Sequence, residues 1–144
     1  MEMQTELFWI VPLALLGFVG FWSVIVGLIS LFGGWQRLAR QYRDLDNYQG
    51  RKLRMRSGRL GASDYNGVLI LGADFIGMYL AVSPLFRIGH PPLFIPWNDI
   101  QTGEEQRLFT TYSTLSFAKV PRVKLMLPSR VMEEVQALKT GNLI

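Results

Sequence analysis

No charged residue lies between Glu6 and Arg37 in this 144-residue chain. Within that gap, Leu7–Phe32 reads LFWIVPLALLGFVGFWSVIVGLISLF, apolar on every side of a helix. Such a run is long enough to cross a hydrocarbon core of about 30 Å. At ~1.5 Å per residue it extends roughly 39 Å, so it tilts or leaves one end in the interface. The rest of the chain is too short to enclose a helix with no polar face, which argues against a buried helix of a soluble protein. A cleaved leader would need a basic start and an apolar run of about 7–15 residues. This one opens Met-Glu-Met-Gln-Thr-Glu. The first expectation is therefore a retained transmembrane anchor over residues 1–34.

Charge gives the anchor a direction. Residues 1–6 hold two acids and no base, whereas residues 36–60 hold eight bases against two acids. The remaining residues balance, so the basic character of the chain comes from the block that follows the span. Lys and Arg near one end of a span favour the cytoplasmic side. This predicts a single-pass protein of the inner (cytoplasmic) membrane, N-terminus outside, with its C-terminal domain in the cytoplasm. There is no cysteine, which excludes a disulfide framework, a thiolate metal site and a cysteine nucleophile.

Inside the span, Gly20, Ser23, Gly27, Ser30 and Gly34 recur at spacings of three and four, the spacing of one face of a left-handed helix crossing. Small side chains let a second backbone approach closely, and in lipid it is packing that holds helices together. The seam predicts a membrane-protein partner helix or a homo-oligomer. Pro12 either begins or kinks the helix, and Trp9 and Trp35 fall where interfacial aromatic belts belong. Residues 35–49 form a basic amphipathic juxtamembrane segment. Leu38, Tyr42 and Leu45 follow i, i+4, i+7, while Arg37, Arg40 and Arg43 gather on another side. That pattern suits a helix bent onto headgroups or a straight stalk, and its cations would attract anionic lipid.

After Asn47–Gly50 the periodicity changes to two. In RKLRMRSG, Leu53 and Met55 point one way and Lys52, Arg54 and Arg56 the other, a half-buried strand with a basic outer face. Ser63–Gly67 carries turn chemistry. Further strands follow at 67–71, 75–82, 92–97, 106–112, 114–118 and 122–127, a set of about seven that suits a small barrel or sandwich. Ser129 then caps a closing helix whose stripe is Val131, Val135 and Leu138. The expected class is an α+β membrane protein with residues 50–144 as its β domain.

Seven short antiparallel strands with one C-terminal amphipathic helix resemble pleckstrin-homology (PH)-like folds in order of elements. The stretch NGVLILGADFIGMYLAV…PPLFIPWNDI is similar to bacterial membrane-associated PH-like domains of the YcxB-like and GRAM-like groups, as is the later VKLMLPSRVMEEV. The resemblance covers roughly residues 50–140. It implies a partly open barrel with Trp97 and Ile100 in its core and the terminal helix plugging one end. Phosphoinositide-binding PH domains carry a Lys followed at a distance by Arg-x-Arg. Here Lys52, Arg54, Arg56 and Arg59 are packed into and just after the first strand, so the resemblance points to general anionic contact.

Nothing in the sequence has the spacing of a catalytic or metal-binding constellation. The one histidine, His90, sits in Gly-His-Pro-Pro and reads as a structural hydrogen-bonder, while Asp64, Asp74 and Asp99 sit at turns. A non-enzymatic protein without metal or cofactor is expected, and nucleic acid ranks below lipid phosphate as the partner of the basic block. Two functions follow. One is a membrane accessory or scaffold subunit that packs its helix on a membrane protein and presents the PH-like domain for protein binding. The other is a sensor of anionic headgroups through Arg37, Arg40, Arg43, Lys52, Arg54 and Arg56.

Overall fold

A computed structural model describes residues 2–141, and Met1 and residues 142–144 lie outside the described residues. The apolar helix α1 runs Glu2–Gly33 with Pro12 inside it rather than at its start, and its Met3–Ser30 stretch is long and apolar enough to cross a membrane. It does not continue into the basic segment. Gly34 takes φ +89°, a left-handed conformation that ends α1 and turns the chain into α2, Trp35–Tyr42. A Cβ there would stand 2.6 Å from Val123 Cγ2, so both the angle and the space call for glycine.

The segment expected to lie on headgroups is instead part of the domain. Trp35, Leu38 and Tyr42 of α2 are buried in the main core. Trp35 therefore belongs to no interfacial belt. The chain leaves the helix after Tyr42 because Arg43 bridges to Leu93 and the Asp44 amide donates to the Pro92 carbonyl at 2.9 Å. Leu45, expected on the buried stripe, is left 85% exposed. Neither a straight stalk nor a helix through residue 48 survives.

Seven strands follow: β1 Lys52–Leu60, β2 Ser63–Ala73, β3 Gly77–Val82, β4 Leu93–Pro96, β5 Ile100–Arg107, β6 Thr110–Phe117 and β7 Val120–Pro128. They form one antiparallel sheet in the order β4-β3-β2-β1-β7-β6-β5, curled into a half-barrel with β4 and β5 as its edges. Its concave face carries Leu69, Leu71, Met78, Leu80, Ile95, Leu115, Leu125 and Leu127, each essentially sealed from solvent. Burying each such side chain is worth about 1.5–3 kcal/mol. The closing helix α3, Ser129–Lys139, lays Val131, Val135 and Leu138 on this core. Trp97 and Ile100 sit at its margin, partly buried. The Trp97 indole donates to the Asp74 carbonyl at 2.7 Å, and Lys139 lies 4.5 Å over its ring, tying α3 to the sheet. A smaller cluster forms on the other side of β2–β3, where Tyr48 stacks on Tyr79 at 4.9 Å beside Ile70 and Ala81.

Local details depart from the periodic reading, each for a visible reason. The β1 alternation breaks at a bulge between Leu53 and Arg56, which leaves Met55 at φ +58° and 77% exposed. Ser63–Gly67 is not the turn but the first part of β2; the turn is Gly61–Ala62. Residues 106–112 are not one strand. Leu108 and Phe109 form the turn between β5 and β6, closed by the Arg107–Thr110 pair. The cap of α3 shifts as well: Pro128 takes the N-cap position, and the Ser129 hydroxyl is buried without a partner.

Candidate functional site

Where α1 meets the half-barrel, an open cleft of about 700 Å³ lies over β1, β7, β6 and β5. Its floor is cut by glycines: Gly61, at φ +56°, is packed against the Gly33 carbonyl so closely that no Cβ fits. The walls carry Arg37 from α2, Arg59 from β1, Arg107 from β5, and Arg122 and Lys124 from β7, with Glu104 and Glu105 as the acids. Arg107 pairs with Glu105 at 3.0 Å, and Arg59 lies 3.6 Å from exposed Asp64. Arg37, Arg122 and Lys124 make no ion pair among the described residues. A concave surface with an excess of fixed cations concentrates anions, an effect that added salt screens.

The six cations expected to act together are dispersed. Arg37 lines the cleft, and Arg40 and Arg43 are exposed nearby in sequence. Lys52 and Arg54 open β1, whereas the cleft begins at its other end, at Arg59, roughly 17–23 Å away at strand rise. Lys52 sits 5.1 Å over the Tyr79 ring. Arg56 is held by Glu134 of α3, with Nε donating at 3.2 Å and Nη2 at 2.6 Å. Of the cleft's cations the sequence points to Arg37 and Arg59 but not to Arg107, Arg122 and Lys124, which lie on β5 and β7, strands whose place beside β1 only the pairing reveals.

The small-residue seam is divided. Around Gly20 an added Cβ would meet nothing within 4 Å, so that part of the helix face is open. Ser23 bonds the Val19 carbonyl of its own helix at 2.8 Å. At Gly27 an added Cβ would likewise meet nothing within 4 Å, although Gly89 passes beside its backbone; one turn lower the chain occupies its own seam, where Ser30 Oγ donates to the Gly89 carbonyl. Gly34 is the hinge and lies outside α1.

His90 is 1% exposed between Trp35 and Tyr65. Its Nδ1 lies 3.0 Å from the Ile88 carbonyl, which can only accept, so Nδ1 carries the proton. Nε2 is then free to accept from the Tyr65 hydroxyl at 2.9 Å. Burial pushes the His90 pKa down and that of Tyr65 up, so both stay neutral. Both ring nitrogens are engaged inside the core, an arrangement that fastens the loop before β4. Asp74 likewise serves its turn, accepting from the Ile76 and Gly77 amides at 2.8 and 3.0 Å.

Comparison of the chain with protein-family models, curated proteins and solved structures found no match in any of the three.

Proposed function

We propose that this chain is a non-enzymatic, single-pass membrane protein whose half-barrel, PH-like in its order of elements, is held against the bilayer and engages anionic headgroups. The observation that carries this reading is the position of the cationic cleft. It opens at Gly33–Gly34, where α1 enters the domain, and it presents Arg37, Arg122 and Lys124 without ion-pair partners among the described residues. Cations at that end of a span face the phosphate layer, each worth about 1 kcal/mol near an anionic surface. The same charge asymmetry orients the chain N-terminus out and domain in the cytoplasm. The enclosed His90, with both nitrogens occupied, supports a structural role over a catalytic one.

The test uses the full chain reconstituted in nanodiscs of mixed neutral and anionic lipid, with anionic enrichment around the protein measured after extraction. The double charge reversal Arg122→Glu, Lys124→Glu is expected to reduce that enrichment by more than the pair Lys52→Glu, Arg54→Glu at the distal end of β1. Equal retention of anionic lipid by the cleft variant and the parent would sink the reading.

A second reading is a membrane accessory or scaffold subunit, and the open helix face around Gly17 and Gly20 favours it. There Gly20→Leu would disrupt association with a partner helix or with a second copy. Gly27→Leu is a second probe of the same face, since an added Cβ there also meets nothing within 4 Å.

A further inference from the structure

The connection between β3 and β4 climbs along α1 and leaves the half-barrel behind. Side chains of α1 and α2 hold it by its carbonyls. Trp22 Nε1 donates to Leu85 at 3.0 Å, Gln36 Nε2 to Gly89 at 2.5 Å and Trp35 Nε1 to Pro91 at 2.9 Å. The Phe86 ring lies 5.3 Å from that of Trp22. Trp22 stands eleven residues before the end of α1, so the loop reaches roughly 16 Å up the helix. Its outward surface is apolar, with Leu85 74% and Ile88 49% exposed. The one charged side chain, Arg87, bends back to the Val82 carbonyl at 3.3 Å.

This surface is continuous with the exposed face of α1. Phe18 stacks on Trp22 at 6.2 Å, Trp22 touches Phe86, and Leu85 follows. A bilayer that covers Phe18 and Trp22 cannot stop short of Leu85. Length places the boundary there too. Counted from Leu7, the first residue after the last N-terminal acid, roughly 30 Å of helix ends near Val26, one turn beyond Trp22. Non-helical backbone is tolerated at that depth where its polar groups are bonded within the protein, and within Ser83–Gly89 the carbonyls of Ser83, Pro84, Leu85, Arg87, Ile88 and Gly89 all accept hydrogen bonds.

We propose that Ser83–Gly89 is a membrane-seated wedge, with Leu85 and Ile88 in the headgroup–acyl boundary beside α1, fixing the depth at which the half-barrel sits. Arg87 lies at the phosphate level, its stem along the apolar surface and its head toward water. The proposal rests on the reading of α1 as a span, and the test separates the two.

Because the chain has no cysteine, single replacements accept an environment-sensitive fluorophore without a background. The full chain carrying Leu85→Cys, Ile88→Cys, Phe18→Cys or Phe75→Cys is reconstituted in vesicles of phosphatidylcholine and phosphatidylglycerol. Phe75 is 83% exposed in the turn at the far end of β3 and serves as the aqueous reference. The Leu85 and Ile88 probes are expected to be blue-shifted and quenched by spin labels at the top of the acyl chain, with little quenching by aqueous iodide. Iodide quenching at Leu85 equal to that at Phe75, with Phe18 still quenched by lipid-borne labels, overturns the wedge and leaves the span standing. Iodide access at Phe18 overturns the span, and the wedge falls with it.

Discussion

The two helices on either side of Gly34 invert the usual relation between composition and burial. α1 is apolar along its length, yet Leu13, Leu16, Phe18 and Phe21 are more than half exposed. α2 is WQRLARQY, a quarter arginine, yet Trp35 and Leu38 are completely buried. The difference teaches where each segment finds its apolar environment. α2 has one apolar stripe and a half-barrel to receive it, so folding alone satisfies it. The upper part of α1 has apolar side chains all round and nothing of the chain's own to cover them, so it requires a solvent that folding cannot supply.

The sharpest way to break this contrast is a pair of truncations. Leu38→Ala is expected to destabilise the domain by about 2–5 kcal/mol, since it empties a sealed core site. Phe18→Ala is expected to leave domain stability within about 0.5 kcal/mol. Denaturant unfolding of the full chain in detergent, followed by near-ultraviolet circular dichroism, reads both. Similar losses from the two changes would mean that α1 belongs to the core as α2 does.

A smaller effect tests the hinge between them. Gly34→Ala places a Cβ against Val123 at φ +89° and should cost about 1–3 kcal/mol. Gly20→Ala, where nothing stands within 4 Å, should be neutral in the same assay. If both are neutral, the left-handed break is not a constraint and α1 can run on into α2.

The smallest effect concerns His90, wedged against Trp35 where the loop, α1 and α2 meet. Burial lowers its pKa in the folded state, while the unfolded chain titrates near pH 6.5. Above about pH 6.5 both states are neutral and stability is undiminished. Below it the unfolded chain takes up the proton first, so stability falls as pH drops toward the depressed folded value. The thermal midpoint should therefore decline below about pH 6.5 in the parent and less steeply in His90→Phe, even though that variant starts lower. Identical slopes would show that His90 is not kept neutral by burial.

Much of the architecture was legible because it is written in local periodicity. The apolar helix, the alternation in FIGMYLAV and the stripe Val131, Val135, Leu138 each depend on neighbours a few residues apart. β5 was invisible as a strand because Ile100–Arg107 exposes both faces and so carries no alternation. The expected strand at 106–112 therefore merges the end of β5, the adjoining turn and the start of β6. The same blindness applies to the cleft: Arg37, Arg59, Arg107, Arg122 and Lys124 are spread over most of the chain, and nothing local connects them.

The long apolar helix, the strand-rich body and the closing helix are each written in the residues themselves. These follow from side-chain spacing and from the cost of leaving apolar surface in water. That α2 belongs to the core, that β1 pairs with β7, that Arg56 is taken by Glu134 and that the loop after β3 rises along α1 emerge only in the folded chain. The physical reason is that these are contacts between residues tens of positions apart. They are selected by shape and hydrogen bonding once the chain has closed on itself, and no periodic pattern records them.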